Sequence, residues 1–152
     1  MEGAVAGAYS MKRKKGEIGK HTVLFVCVHN SGRSQMAEAF LSQMAKGKVR
    51  AVSAGTEPAS TVDPTVIEVM QEAGIDMSGN KPKALTMKML EQADKVVTMG
   101  CGAEAVCPAS FVETEEWGLE DPAGKALAEV RKIRDEIRER VKQLIEELPR
   151  SK

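Results

Sequence analysis

One stretch, VLFVCVHNSGRSQMAEAF at residues 23–40, sets a cysteine at the end of an apolar run and an arginine six positions later, just as helical spacing begins. A thiol in that place is a candidate nucleophile, and a guanidinium is a two-pronged donor matched to a tetrahedral oxyanion. Two more cysteines, Cys101 and Cys107, and an Asp-Pro pair, Asp121-Pro122, carry the remaining reactive groups. Cys27, Arg33, Cys101, Cys107 and Asp121 are therefore the candidate catalytic residues.

If a strand ends at Cys27 and a helix starts by Ser34, the intervening turn can aim its backbone N–H groups at one point, helped by the positive end of the helix dipole. Val28, His29, Asn30, Ser31, Gly32, Arg33 and Ser34 then form an anion cradle. Gly32 permits a backbone path that a side chain would resist. The same donors would hold the Cys27 sulfur as the nucleophilic thiolate, and Ser34 or Ser31 could add a hydrogen bond to it. A buried cysteine ending a strand is otherwise a common packing residue. It is the full C-x5-R-S arrangement between strand and helix that favours chemistry.

Three cysteines are an odd count for a disulfide-built secreted domain, which leaves catalysis, metal or packing. Zinc held by Cys27, Cys101, Cys107 and His29 would lack any C-x2-C pair and would face a nearby arginine. A hydrolase needs one thiolate and one acid. A two-electron reduction that ends in a disulfide needs successive attacking thiols, and TMGCGAEAVCPAS offers two, with Gly100 and Gly102 granting freedom to move.

These groups must be positioned by a regular scaffold. Val23–Val28 reads as a strand covered on both faces, and Met36, Ala37, Phe40, Leu41 and Met44 as a helix stopped at Gly47. KVRAVSAG (48–55) predicts a second strand, and DPTVIEVMQEAG a helix with Pro64 in its first turn. A short helix near Met87–Glu91, a third strand over 94–100 and a fourth within 110–117 follow. From about Gly124, a stripe of Leu127, Val130, Ile133, Ile137, Val141, Leu144 and Leu148 predicts a long amphipathic helix. The alternation implies an α/β fold, a doubly wound three-layer sandwich on a four-stranded parallel sheet, with its site beyond the carboxyl ends of the strands.

The 152 residues suit one domain, read here as a single catalytic body over 21–150 preceded by a flexible extension at 1–20. Lys plus Arg and Asp plus Glu balance at 22 each, so no overall field draws the chain to nucleic acid or an anionic membrane. No apolar run approaches the roughly 18 residues of a membrane span, and the basic cluster at the start follows the small residues, so a cytoplasmic protein is expected. Trp117 is expected to pack in the core, and His21 to precede the first strand.

CVHNSGRSQMAE resembles the signature loop of the low-molecular-weight protein tyrosine phosphatases, with Cys27 matching the nucleophile, Arg33 the oxyanion-binding arginine and Asp121 the general acid. Within that fold, TMGCGAEAVCPAS and WGLEDPAGK resemble segments of the thioredoxin-coupled arsenate reductases. Where the tyrosine phosphatases carry two aromatics after the Asp-Pro, this chain has Ala123-Gly124. The resemblance implies attack of Cys27 on arsenate, with phosphate or sulfate as analogues, and a Cys27, Cys101, Cys107 disulfide relay re-reduced by thioredoxin, with no tightly bound cofactor. It also implies a potassium ion beside the loop, at Asn30, Glu38, Ser53 and Asp76. Three departures stand out: Gly32 where family reductases often carry a further cysteine, His29 in the loop, and Cys101 and Cys107 set one residue closer together than in the bacterial reductases they resemble. The alternatives are a phosphatase working through phospho-Cys27 and a phosphocysteine carrier, for which an acid at Asp121 would be idle.

Overall fold

The computed structural model describes residues 21–99 and 113–148. In chain order these form β1 (His21–Cys27), α1 (Arg33–Ala45), β2 (Val49–Gly55), α2 (Pro64–Glu72), α3 (Met87–Gln92), β3 (Lys95–Thr98), β4 (Glu113–Glu116) and α4 (Leu127–Glu147). The four strands make one sheet in the order β2-β1-β3-β4, all pairs parallel. The expected doubly wound sandwich is what the chain adopts.

β1 lies at the centre of the pleat, and its alternation divides the core in two. Val23, Phe25 and Cys27 face the larger cluster, with Met36, Phe40 and Leu41 of α1, Val66 and Met70 of α2, and Val130, Ile137 and Val141 of α4. Leu24 and Val26 face the smaller one, with Ala54, Leu90, Ala93 and Val96. The period of two therefore puts the Cys27 side chain on the α1 face, at the strand's last position.

Local signals explain most element ends. Asp63 caps α2 by accepting from the Thr65 N–H at 2.9 Å, with Pro64 just inside, and Thr86 caps α3 by accepting from the Met89 N–H at 3.1 Å. α1 closes with Lys46 and Gly47 both at positive φ, 52° and 86°. α4 starts at Leu127 rather than Gly124, which has a φ of 73° and belongs to the preceding turn. Its predicted stripe is buried from Val130 to Leu144, with Leu127 and Leu148 partly buried at its ends.

β4 is an edge strand made of Glu113, Thr114, Glu115 and Glu116, and charge on an edge discourages further pairing. Lys95 on β3 meets Glu115 at 3.0 Å. Trp117 is buried with its ring 5.7 Å from that of Phe25, and its indole N–H donates to Glu115 Oε2 at 3.0 Å, so the expected core role holds. His21 is the first residue of β1 rather than one before it, paired with Val49. Among the described residues, no helix is long and apolar enough to cross a membrane. The expected extension at 1–20 and the Cys101–Cys107 segment lie outside the described residues.

Candidate active site

The loop from Cys27 to Ser34 leaves the carboxyl end of β1 and turns into α1. Its carbonyls are tied down from outside. Cys27 O accepts from the Thr56 N–H at 3.1 Å, Val28 O from Glu57 N–H at 2.8 Å, His29 O from Ala59 N–H at 3.0 Å and Ser31 O from Asp63 N–H at 2.9 Å. In a trans peptide the N–H of the next residue points opposite to the carbonyl, and the described chain has no cis peptide. The N–H groups of Val28, His29, Asn30 and Gly32 are thereby turned away from residues 56–63, toward the concave side of the loop. Loop carbonyls bonded outward and amides left inward are the physical content of an anion cradle.

Cys27 lies at the bottom of this turn, buried, with two hydrogen bonds at its sulfur. The Asn30 N–H donates to Sγ at 3.3 Å, and Ser34 Oγ stands 2.8 Å away. The direction of the second bond follows from the neighbours. Ser34 Oγ already accepts from Asn30 Nδ2 at 2.8 Å, so its hydroxyl proton is free to point at the sulfur. Two donors aimed at one sulfur fix its position beneath the amides.

Asn30 is the hub. Its φ is 52°, a left-handed turn that asparagine tolerates better than most residues. Its side-chain amide is fully committed: Nδ2 donates to Ser34 Oγ and, at 2.9 Å, to Ser53 Oγ, while Oδ1 accepts from Gln35 Nε2 at 3.0 Å and the Lys83 N–H at 2.8 Å. Both donors and both lone pairs are used, so only one orientation satisfies the site. Ser53 Oγ donates a hydrogen bond to Glu38 Oε1 at 2.5 Å. A directed row of hydrogen bonds thus links the Glu38 carboxylate, Ser53, Asn30, Ser34 and the Cys27 sulfur.

Two glycines let the parts close on one another. A Cβ at Gly55, the end of β2, would lie 2.6 Å from Val28 O, so only glycine lets the loop cross there. A Cβ at Gly32 would lie 2.8 Å from Pro122 Cγ, which shows how closely the Asp-Pro segment packs on the loop. Gly32 also begins α1 with no side-chain cap, leaving the first-turn N–H groups to a ligand.

Arg33 is buried and its guanidinium runs under the segment after β4. Nη1 donates to Leu119 O at 3.0 Å, and Nη2 is 3.9 Å from Asp121 Oδ2. Asp121 is half exposed, and its Oδ1 accepts from the Ala123 N–H at 3.0 Å in a local turn. The structure therefore brings Cys27, the 28–34 loop, Arg33 and the Asp121-Pro122 segment into one site. Cys101 and Cys107 lie outside the described residues. His29 is exposed, and because a carbonyl can only accept, its Nδ1 must carry the proton it gives to Glu57 O at 3.0 Å.

The expected potassium residues come together only in part. Ser53 accepts from Asn30 and donates to Glu38, which joins the three in a row. Asp76 lines a surface cleft with Glu38, but its carboxylate accepts from the Ser78 N–H at 2.9 Å, and the Ser78 hydroxyl, with that backbone bond second, holds its pKa below the usual aspartate range. Instead, Lys83 Nζ lies 3.4 Å from both Glu38 Oε1 and Ser53 Oγ. A potassium ion needs several oxygens with lone pairs turned toward it. Here Asn30 Oδ1 is filled by two N–H groups, Ser53 Oγ accepts from Asn30 and Lys83, and a positive charge already stands at the carboxylate. The donor set does not fit the ion. Among the described residues, no cluster of His, Cys, Asp and Glu fits any other metal.

Reading from sequence alone passes over Gln35, Gly55, Lys83 and the Leu119 carbonyl. Of these, only Gln35 left a trace, a polar residue beside the reactive loop in a helix whose first turn is wholly buried.

A model of the low molecular weight phosphotyrosine protein phosphatase family matches residues 22–152. An arsenate reductase of Bacillus cereus (strain 03BB102) is 43% identical over 129 residues, 84% of this chain and 96% of that protein. The fold superposes on an arsenate reductase in its phosphate-binding state with a TM-score of 0.76 at 34% identity, covering 85% of this chain and 99% of that one. It also superposes on a thioredoxin-dependent arsenate reductase of Corynebacterium glutamicum, TM-score 0.74 at 40% identity, covering 86% of this chain but spanning only 62% of the other. With the family model matched over residues 22–152 and an arsenate reductase 43% identical over most of the chain, the chain belongs to the low molecular weight phosphotyrosine protein phosphatase family, in the group that includes the arsenate reductases.

Proposed function

We propose that this protein reduces arsenate to arsenite and draws its electrons from thioredoxin. The observation that carries the reading is the Cys27 sulfur held by the Asn30 N–H and the Ser34 hydroxyl at the floor of an inward-facing amide loop. Arsenate enters as an oxyanion on the amides of residues 28–34 and the Arg33 fork, close in charge and shape to phosphate. The sulfur attacks arsenic, and Asp121 gives a proton to the oxygen that leaves as water.

Cys101 then attacks the Cys27 sulfur. The S–As bond breaks, its electron pair stays on arsenic, arsenite departs, and a Cys27–Cys101 disulfide forms. Cys107 attacks Cys101 and frees Cys27, leaving a Cys101–Cys107 disulfide for the thioredoxin dithiol to reduce. Two thiols lose the two electrons that arsenic gains.

The absence of an aromatic pair after Asp121-Pro122 favours this over tyrosine phosphatase action, since Ala123 and Gly124 offer no wall for a phenyl ring. A steady-state assay with arsenate, thioredoxin and thioredoxin reductase separates the two. Cys107→Ser should lose turnover, whereas a phosphatase would hydrolyse an aryl phosphate briskly and be indifferent to Cys101→Ser. Normal thioredoxin-coupled cycling by Cys107→Ser would refute the relay.

A further inference from the structure

We propose that Lys83 is a tethered cation that takes the place of a monovalent metal ion beside the reactive loop, so that this enzyme positions Asn30 and the Cys27 sulfur without potassium. The inference concerns how the loop is held and does not depend on which reaction the loop performs.

Three separate bonds fix residue 83. Its N–H donates to Asn30 Oδ1 at 2.8 Å, its carbonyl accepts from the Gly55 N–H at 2.8 Å, and its ammonium stands 3.4 Å from Glu38 Oε1 and Ser53 Oγ. The segment around it is laced to the end of β2. Leu85 N–H donates to Gly55 O at 2.9 Å, Ala84 bridges Gly55, Gln35 Nε2 donates to Lys81 O at 3.0 Å, and Pro82 restricts the backbone just before. The lysine's charge is thus delivered by a backbone already immobilised, and little additional ordering is needed to bring it there.

The ammonium also does what a bound ion would do. It offsets the Glu38 carboxylate, which would otherwise sit uncompensated and partly buried against Ser53. It faces the lone pairs of Ser53 Oγ and so keeps that hydroxyl's proton pointed at Glu38, leaving the oxygen to accept from Asn30 Nδ2. With that donor fixed, the other Nδ2 proton goes to Ser34, and the Ser34 proton goes to sulfur. Lys83 is a positioning residue, acting through Ser53 and Asn30.

Melting temperature and the rate of Cys27 alkylation at neutral pH, followed by peptide mass spectrometry, are compared in KCl, NaCl and choline chloride at equal ionic strength. The wild-type protein should respond alike to all three. Lys83→Ala should melt about 3–6 °C lower and alkylate about 3- to 10-fold more slowly, and Lys83→Arg should recover most of both. Lys83→Asp supplies an oxygen ligand where the ammonium was, and should regain stability and alkylation rate in KCl but not in choline chloride. A potassium-specific gain in the wild-type protein would overturn the proposal. So would Lys83→Ala and Lys83→Asp proteins that match the wild type in every salt. If neither variant folds, the wild-type comparison among salts decides alone.

Discussion

The two halves of the candidate active site are built to different standards. On the nucleophile side, every polar atom of the Asn30 side chain is used, and the row from Glu38 to Cys27 runs through buried or partly buried groups. On the side of the proposed acid, Asp121 is half exposed and, among the described residues, is tied to the Ala123 N–H and, at 3.9 Å, to Arg33. The contrast fits the division of labour. A sulfur must be kept ionised and aimed, which needs a preorganised surround, while an acid that meets substrate and solvent in turn needs access. Stability and activity should therefore fall together when the first half is damaged and separate when the second is.

The largest combined effect is expected from Asn30→Asp. It keeps an acceptor for Gln35 and Lys83 but loses both Nδ2 donors and adds a carboxylate near Glu38 and the sulfur. A loss of about 3 kcal/mol, a melting temperature lower by about 6–12 °C and a fall in kcat of at least about 10²-fold should appear together in thermal melts and turnover assays. Asp121→Asn should lower kcat by about 10²- to 10⁴-fold while melting within about 1 °C of the wild type. If Asp121→Asn destabilised as much as Asn30→Asp, the distinction between the halves would be lost.

Their contact can be probed at Gly32. The structure shows a steric obstacle to Gly32→Ala, the 2.8 Å approach of the added Cβ to Pro122 Cγ. Gly32→Ala should cost about 1–2 kcal/mol, measured by denaturant unfolding, and Pro122→Ala in the same chain should restore most of it. Equal losses in single and double variants would place the strain elsewhere.

Outside both halves, Glu72 binds Arg131 at 2.8 Å and Arg134 at 3.0 Å, and the Arg131 hydrogen bond holds its carboxyl below the usual glutamate range. A depressed carboxylate pKa stabilises above the unfolded value and stops doing so as pH falls through the folded one. Glu72→Gln should lower the melting temperature by about 1 °C at pH 7 in low salt, and the gap should close as pH drops below the carboxylate range.

The scaffold was legible because its signals are local. An apolar β-branched run, the Asp63-Pro64 start and the Val130 to Leu144 stripe each specify an element within a dozen residues, and the C-x5-R-S loop carries its chemistry in its own spacing. The neighbours of that loop were not legible. The family resemblance implied a cation ligand at Asp76, but the residue that reaches Glu38 is Lys83, brought there by the Gly55–Lys83 and Gly55–Leu85 backbone bonds. Nothing within residues 76–85 announces that path, because tertiary pairing with the end of β2 sets it. Gly55 was read only as the end of a strand, and the need for glycine there arises from a carbonyl 27 positions earlier in the chain. Leu119 contributes its backbone oxygen, which leaves no mark on residue type.

The central claim is that the sulfur held at the floor of the loop attacks arsenic and hands its bond to the other thiols. Fully reduced protein is mixed with arsenate in the absence of thioredoxin, quenched, and mapped for arsenite and disulfides by mass spectrometry. One arsenite per chain, with Cys101 and Cys107 joined and Cys27 again a thiol, is the predicted result; arsenite formed by a Cys27→Ser protein, or no arsenite and three unchanged thiols in the wild type, would contradict it.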